Sequence, residues 1–170
     1  MGLWDQIRAA LSDMWADWRR PSEDERTRLI IGLTEAWRAE QRLSTQIRQI
    51  IPETPYEQFR RRLDAIARDD ERHAVLIEER LGALGGMVGD ASRPLGGSRN
   101  SRPSGPWHRL QQVLTVKRDL YERFRQAASV ADDVGLRSLL ERLRDDEERH
   151  QEGLIEMLMQ LDAHVHETLD

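Results

Sequence analysis

Two short stretches of the chain carry the same polar pattern, a carboxylate three residues before a histidine. The first pairs Asp70 with His73, and the second pairs Glu147 with His150. Residues three apart lie one above the other on a helix, so each pair can offer a carboxylate oxygen and an imidazole nitrogen to one metal ion. The pattern therefore favours a fold that places two such helices side by side, with the pairs facing each other.

The composition supports a helical domain and excludes several classes of protein. A chain of 170 residues with 34% charged and 38% hydrophobic residues suits one domain of amphipathic helices. The net charge of -5 argues against general nucleic-acid binding. The absence of cysteine excludes disulfides and zinc–thiolate sites. No apolar run approaches a membrane span and no secretory signal is visible, so we expect a cytoplasmic protein.

Capping residues and prolines divide the chain into two helical hairpins. Ser22 and Glu25 form a capping box at the start of the first helix. The sequence Thr54-Pro55-x-Glu57 predicts a cap, a first-turn proline and a box partner for the second helix. The predicted helices cover 23–51, about 55–84, about 106–129, and a fourth segment capped by Asp132 or Asp133 that runs nearly to the C-terminus. His73 and His150 occupy matching places in the two hairpins, which indicates an internal duplication.

Two segments fall outside these hairpins. Residues 85–105 hold six of the chain's 11 glycines and show no periodicity, which predicts a long crossover between the second and third helices. Residues 1–20 predict an extra amphipathic helix with Trp4, Trp15 and Trp18 on one stripe. Its charges sum to zero, so we expect it to pack against protein, on its own bundle or in a dimer, rather than on a membrane surface. The bundle domain is then 21–170.

Each predicted bundle helix places polar residues in the middle of its apolar stripe. Buried charges are costly unless they are paired or bind metal, so their convergence indicates a site. Helix three contributes a cation and, one turn on, a tyrosine that we expect to be packed beside the site. The residues concerned are Glu40, Asp70, His73, Lys117, Tyr121, Glu147 and His150.

These motifs resemble the ferritin-like superfamily, in its rubrerythrin-like branch. That family places a Glu on the first helix and Glu-x-x-His on the second, and repeats both on helices three and four. The resemblance covers about Glu23 to Leu161 without the crossover. It implies an all-α, antiparallel four-helix bundle that binds iron or manganese, as an oxidase, a peroxidase or a storage-related protein. Apart from the resemblance, we expect the chain to form a homo-oligomer, and specifically a dimer. The implied metal ligands are Glu40, Asp70, His73, Glu147 and His150.

The chain departs from the family pattern in two places. Asp70 stands where the family has Glu, and the third helix has Lys117 on the stripe where a carboxylate is expected. Two metals, one metal and no metal therefore all remain as hypotheses. In the metal-free case, Lys117 pairs with buried carboxylates and the protein works through oligomerisation or partner binding. The sequence does not decide whether the protein is an enzyme.

Overall fold

The computed structural model describes residues 23–87 and 105–167, with side chains placed as far as residue 160. This part of the chain is all-α and contains no strand, as predicted. Its helices are α1 (Glu23–Ile50), α2 (Glu57–Ala83), α3 (Pro106–Val130) and α4 (Val134–Glu167), with a short 3-10 turn at Ile51–Glu53. The predicted N-terminal helix and most of the 85–105 crossover lie outside the described residues. None of the described helices is long and apolar enough to cross a membrane.

The starts of α3 and α4 agree with the sequence signals, whereas the start of α2 does not. Pro106 occupies the first turn of α3, and the Leu136 amide donates to Asp133 Oδ1 at 2.6 Å, so Asp133 caps α4. The prediction for α2 was wrong. Thr54 Oγ1 donates back to the Ile50 carbonyl at 3.0 Å, and α2 begins only at Glu57, after Tyr56 in extended backbone. The threonine thus closes the end of α1, and no side chain caps α2.

The four helices bury their apolar stripes in one common core. Helix α1 packs along α2 and α3 along α4, while the two hairpins meet where α1 faces α3 and α2 faces α4. Surface ion pairs join the hairpins, with Arg123 to Glu35 at 2.8 Å and Arg62 to Glu156 at 2.8 Å. The most deeply buried apolar residues include Leu43, Ile47, Leu63, Ile77, Leu110, Phe124, Leu140, Leu143 and Leu154.

The predicted stripes coincide with the buried faces, with one shift on α3. The buried position that follows Lys117 is Leu120, whereas Tyr121 is only half-buried. A residue four positions on from Lys117 thus turns out of the core here, because Leu120 and Phe124 already fill the interior face. Lys117 itself is fully buried.

Candidate metal centre

A layer of polar side chains crosses the middle of the apolar core. Its six members come from all four helices, and none is more than 4% exposed. All six were predicted from the stripes: Glu40 on α1, Asp70 and His73 on α2, Lys117 on α3, and Glu147 and His150 on α4. These six titratable groups interact mainly with one another, since their side chains are almost fully buried from solvent.

Lys117 lies at the centre of one half of this layer. Its ammonium donates to Asp70 Oδ1 at 2.8 Å and to Glu147 Oε1 and Oε2 at 3.0 and 3.1 Å. The same nitrogen lies 3.2 Å from Nδ1 of His150. The ammonium therefore has acceptors from both α2 and α4, and the predicted pairing of Lys117 with a buried carboxylate is present.

Glu40 and His73 form the other half of the layer. His73 Nδ1 lies 3.3 Å from Glu40 Oε1 and 3.7 Å from Glu147 Oε1. The second oxygen of Glu40, Oε2, is buried and has no hydrogen-bond partner, and the same is true of Oδ2 of Asp70. Two buried carboxylate oxygens thus have lone pairs that no described donor uses.

Two further aspartates support the histidines from across the bundle. Asp146 Oδ2 on α4 lies 3.0 Å from Nε2 of His73, and Asp69 Oδ2 on α2 lies 3.2 Å from Nε2 of His150. Each aspartate is also paired with an arginine on its own helix, Asp146 with Arg149 and Asp69 with Arg72. These contacts point both Nδ1 atoms towards the polar layer, which is how outer carboxylates orient metal-binding histidines.

Sequence reasoning missed these two aspartates. Each directly precedes the buried carboxylate of its motif, so it lies about 100° round the helix and off the apolar stripe. Each aspartate contacts a histidine of the other hairpin, and residue spacing within one helix does not predict a contact between hairpins. The available signal was that an aspartate stands at this position in both copies of the motif.

The polar layer has an internal two-fold pattern with one exception. Asp146, Glu147 and His150 each lie 77 positions after their counterparts Asp69, Asp70 and His73. The counterpart of Glu40 at the same offset is Lys117. The duplication therefore preserves the carboxylate–histidine pairs and their supports, but it replaces the carboxylate of α1 with a cation on α3.

Burial and pairing shift the pKa values of Glu40 and His73 upwards. Burial raises the pKa of Glu40 to about 7, against the opposing effect of its hydrogen bond with His73. Burial alone would lower the pKa of His73, but the nearby carboxylates of Glu147 and Glu40 raise it to about 9. Without a metal ion, His73 is therefore an imidazolium near neutral pH, and Glu40 is partly protonated.

Lys117 and Glu147 hold each other in their charged forms. Burial disfavours the ammonium, but the attraction of Glu147 and Asp70 outweighs it and raises the pKa of Lys117. Burial likewise opposes ionisation of Glu147, yet the Lys117 charge and the histidine hydrogen bonds hold the pKa of that carboxyl below its usual range. For Asp70 burial prevails over Lys117, and its pKa is raised. The Lys117–Glu147 pair is thus the firmest ion pair of the layer.

The donor set fits one divalent cation. One ligand atom each from Glu40, Asp70, His73 and Glu147 can be chosen so that all four lie within 4.8 Å of one another. The two unpartnered oxygens belong to members of this group, Glu40 and Asp70. His150 is not part of it, since its Nδ1 faces the Lys117 ammonium. Oxygen and imidazole donors of this kind suit iron and manganese.

Two aromatic residues near the layer have different surroundings. Tyr121 takes part in none of the hydrogen bonds described for the polar layer, and it interacts electrostatically with Arg144 on α4. Trp37, one turn before Glu40, is 6% exposed, and its indole N–H has no partner among the described residues. Neither side chain contributes a donor to the four-atom group.

Comparison with known proteins identifies the fold. No protein-family model matches the chain, and no curated protein matches it in sequence. Among solved structures, a dodecameric thioferritin, the bacterioferritin-related protein of Bacteroides fragilis, superposes with a TM-score of 0.73 at 19% identity, over 86% of this chain and 93% of that one.

Two further solved structures are similar. The bacterioferritin of Rhodobacter capsulatus, a structure with a metal-free dinuclear site and haem iron, gives a TM-score of 0.64 at 22% identity, covering 81% of this chain and 87% of that one. A ferritin-like diiron-carboxylate protein of Bacillus anthracis gives 0.61 at 21% identity, covering 81% and 99%. The chain therefore has the ferritin-like four-helix fold, as the motifs predicted.

Proposed function

We propose that this chain binds a divalent metal ion, iron or manganese, in the core of its bundle. The observation that carries the proposal is the group of four buried donors from three helices, with unpartnered oxygens on Glu40 and Asp70. A buried carboxylate oxygen without a donor is costly in a purely structural core. A cation placed among the four donors would satisfy both oxygens at once.

The chain's own residues would prepare the site in distinct ways. Glu40, Asp70 and Glu147 supply the negative charge, and His73 supplies an imidazole nitrogen once its proton has left. Asp146 holds His73 so that Nδ1 faces Glu40 and Glu147. When bound in such a site, iron or manganese supplies redox chemistry with oxygen or peroxide. The solved diiron and bacterioferritin structures share this fold, which supports an oxidase, peroxidase or storage-related role.

One observation favours a second candidate function, a metal-free structural or interaction module. Lys117 pairs with Asp70 and Glu147, and protonated His73 pairs with Glu40, so without metal the three carboxylates already face two positive charges. Networks of this kind can hold the register of a bundle. The two candidates differ in one measurable respect, which is whether the native protein takes up divalent metal.

Metal content decides between these candidates. The untagged protein would be freed of metal with a chelator, dialysed against Mn²⁺ or, without oxygen, Fe²⁺, and assayed by elemental analysis. Glu40→Gln should weaken binding by roughly 100-fold or more, beyond the loss that outer-sphere residues cause. Glu35→Gln is the matched control, because it removes a carboxylate from the solvent face of the same helix. Absence of bound metal in the native protein would favour the metal-free module.

We also propose that the chain forms homo-oligomers. The bacterioferritin-related protein of Bacteroides fragilis, which shares the fold, is dodecameric. The described helices expose large apolar side chains that a second copy could cover, among them Ile31, Val75 and Met159. The earlier expectation of a dimer is one form of this proposal. Light scattering coupled to size-exclusion chromatography would give the number of copies, and a monomer at micromolar concentration would contradict it.

A further inference from the structure

We propose that the centre accepts one divalent cation and not two, because the Lys117 ammonium is a built-in second cation. This inference rests on the proposed metal-binding function and makes it more specific. It concerns the half of the polar layer that contains Lys117, Asp70, Glu147 and His150, and it assigns His150 to the lysine rather than to a metal.

The first support is the placement of Lys117 in the duplicated pattern. A site with two equivalent halves needs a carboxylate on α3 to match Glu40 on α1. The residue at the matching offset is Lys117, and its fully buried ammonium points into the layer. The chain therefore lacks one carboxylate and holds a positive charge in the same place.

The second support is that Lys117 stands where a second ion would be, because it contacts His150 and shares Asp70 and Glu147 with the four-donor group. Its Nζ contacts Asp70 Oδ1, both carboxylate oxygens of Glu147, and Nδ1 of His150, all within 3.2 Å. No hydrogen bond among the described residues joins Lys117 to Glu40 or His73. The ammonium thus holds His150 and three carboxylate oxygens, whereas the two unpartnered oxygens, Oε2 of Glu40 and Oδ2 of Asp70, both belong to the four-donor group.

The third support is the charge of the layer. Glu40, Asp70 and Glu147 carry three negative charges when all are ionised, and Lys117 carries one positive charge. One divalent ion adds two positive charges and leaves the buried layer neutral when both histidines are neutral. A second divalent ion would leave two uncompensated positive charges in a layer that is buried from solvent, which is strongly unfavourable.

The fourth support is that Lys117 has no route away from the site. Its side chain is entirely buried, and the neighbouring positions on the same face of α3, Leu114 and Leu120, are buried as well. Moving the ammonium to solvent would require these apolar side chains to give way. The lysine is therefore a fixed part of the centre.

The test is a titration of the metal-free full chain with Mn²⁺, read by elemental stoichiometry and by electron paramagnetic resonance. The wild type should bind one Mn²⁺ per chain with the spectrum of an isolated ion. Lys117→Glu, which restores the missing carboxylate, should bind two with an exchange-coupled spectrum. Arg118→Glu is the matched control, because it makes the same charge change at an exposed position on the same helix and should behave as wild type.

The outcomes separate this inference from the proposed function. Two ions in the wild type, or one ion in a folded Lys117→Glu, would overturn the inference and leave metal binding intact. No ion in the wild type would overturn both. If Lys117→Glu does not fold, Lys117→Gln decides the matter. Removal of the buried positive charge should then tighten binding of the single ion by roughly tenfold or more, and unchanged affinity would overturn the inference.

Discussion

Replacement of Lys117 with methionine should strongly destabilise the metal-free protein. Methionine keeps an unbranched side chain of similar length but removes the charge that faces Asp70 and Glu147. At 2.8 and 3.0 Å, each ion pair has an attraction of about 6 kcal/mol at an effective dielectric constant of ~20. Most of this is offset by the cost of burying the charges. The expected net loss is about 3–5 kcal/mol, as is typical when one partner of a buried pair is removed.

The assay is urea unfolding followed by circular dichroism, with a chelator present throughout. For a chain of this size, the loss corresponds to a fall in melting temperature of roughly 6–20 °C. The penalty should shrink towards pH 5, because the two carboxylates left without lysine can then take up protons. The triple variant Lys117→Met, Asp70→Asn, Glu147→Gln should recover most of the stability, since it removes the charges together. A loss below about 1 kcal/mol, or a triple variant no more stable than the single one, would refute the proposed role of the network.

Three further outcomes are expected. Asp146→Asn should weaken Mn²⁺ binding by about 10–100-fold, because it releases His73. Asp69→Asn should have a much smaller effect, because Asp69 supports His150, which is outside the four-donor group. Equal losses of Mn²⁺ affinity in equilibrium dialysis would contradict the assignment. The pKa of His73 is raised to about 9, so its stabilisation of the metal-free fold, about 3 kcal/mol, is fully present below pH 6.5 and is lost as the pH rises through 9. Urea unfolding across that range should show the decline in the wild type and a flatter profile in His73→Gln. Metal uptake near pH 7 should release roughly one to two protons, from His73 and partly from Glu40. The heat of binding measured by calorimetry should therefore vary with the ionisation enthalpy of the buffer. The same heat of binding in all buffers would exclude this proton release.

Periodicity alone located most of the fold and the inner part of the site. The stripes predicted four helices and placed six polar residues in one buried layer, because burial on a helix follows a local repeat that the sequence shows directly. The predicted start of α2 was wrong, because the Thr54 hydroxyl donates to the carbonyl of Ile50 in α1 and does not cap α2. A threonine at this position suits both roles, so the sequence did not distinguish them. Tyr121 was placed on the core stripe, but Leu120 fills that position.

Contacts between the hairpins could not be predicted in the same way. The bonds from Asp69 to His150 and from Asp146 to His73 join residues far apart in the chain, and their geometry depends on how the hairpins dock. The predicted helix at residues 1–20 and the crossover at 85–105 stay predictions, apart from the described ends of the crossover. The metal ligands were named from a resemblance, and only binding experiments test them.

The exchange of aspartates between the hairpins bears on how such a chain could have arisen. Each hairpin lends its outer aspartate to the histidine of the other, which is the arrangement expected if two identical hairpins once associated as separate molecules. Two copies of the first hairpin would bring together two sets of Glu40, Asp70 and His73, a symmetric donor set without any cation. In one chain that holds both hairpins, the second hairpin can differ from the first. Two identical hairpins that carried a lysine at this position would bury two ammonium groups in the layer, whereas the single chain buries one, Lys117.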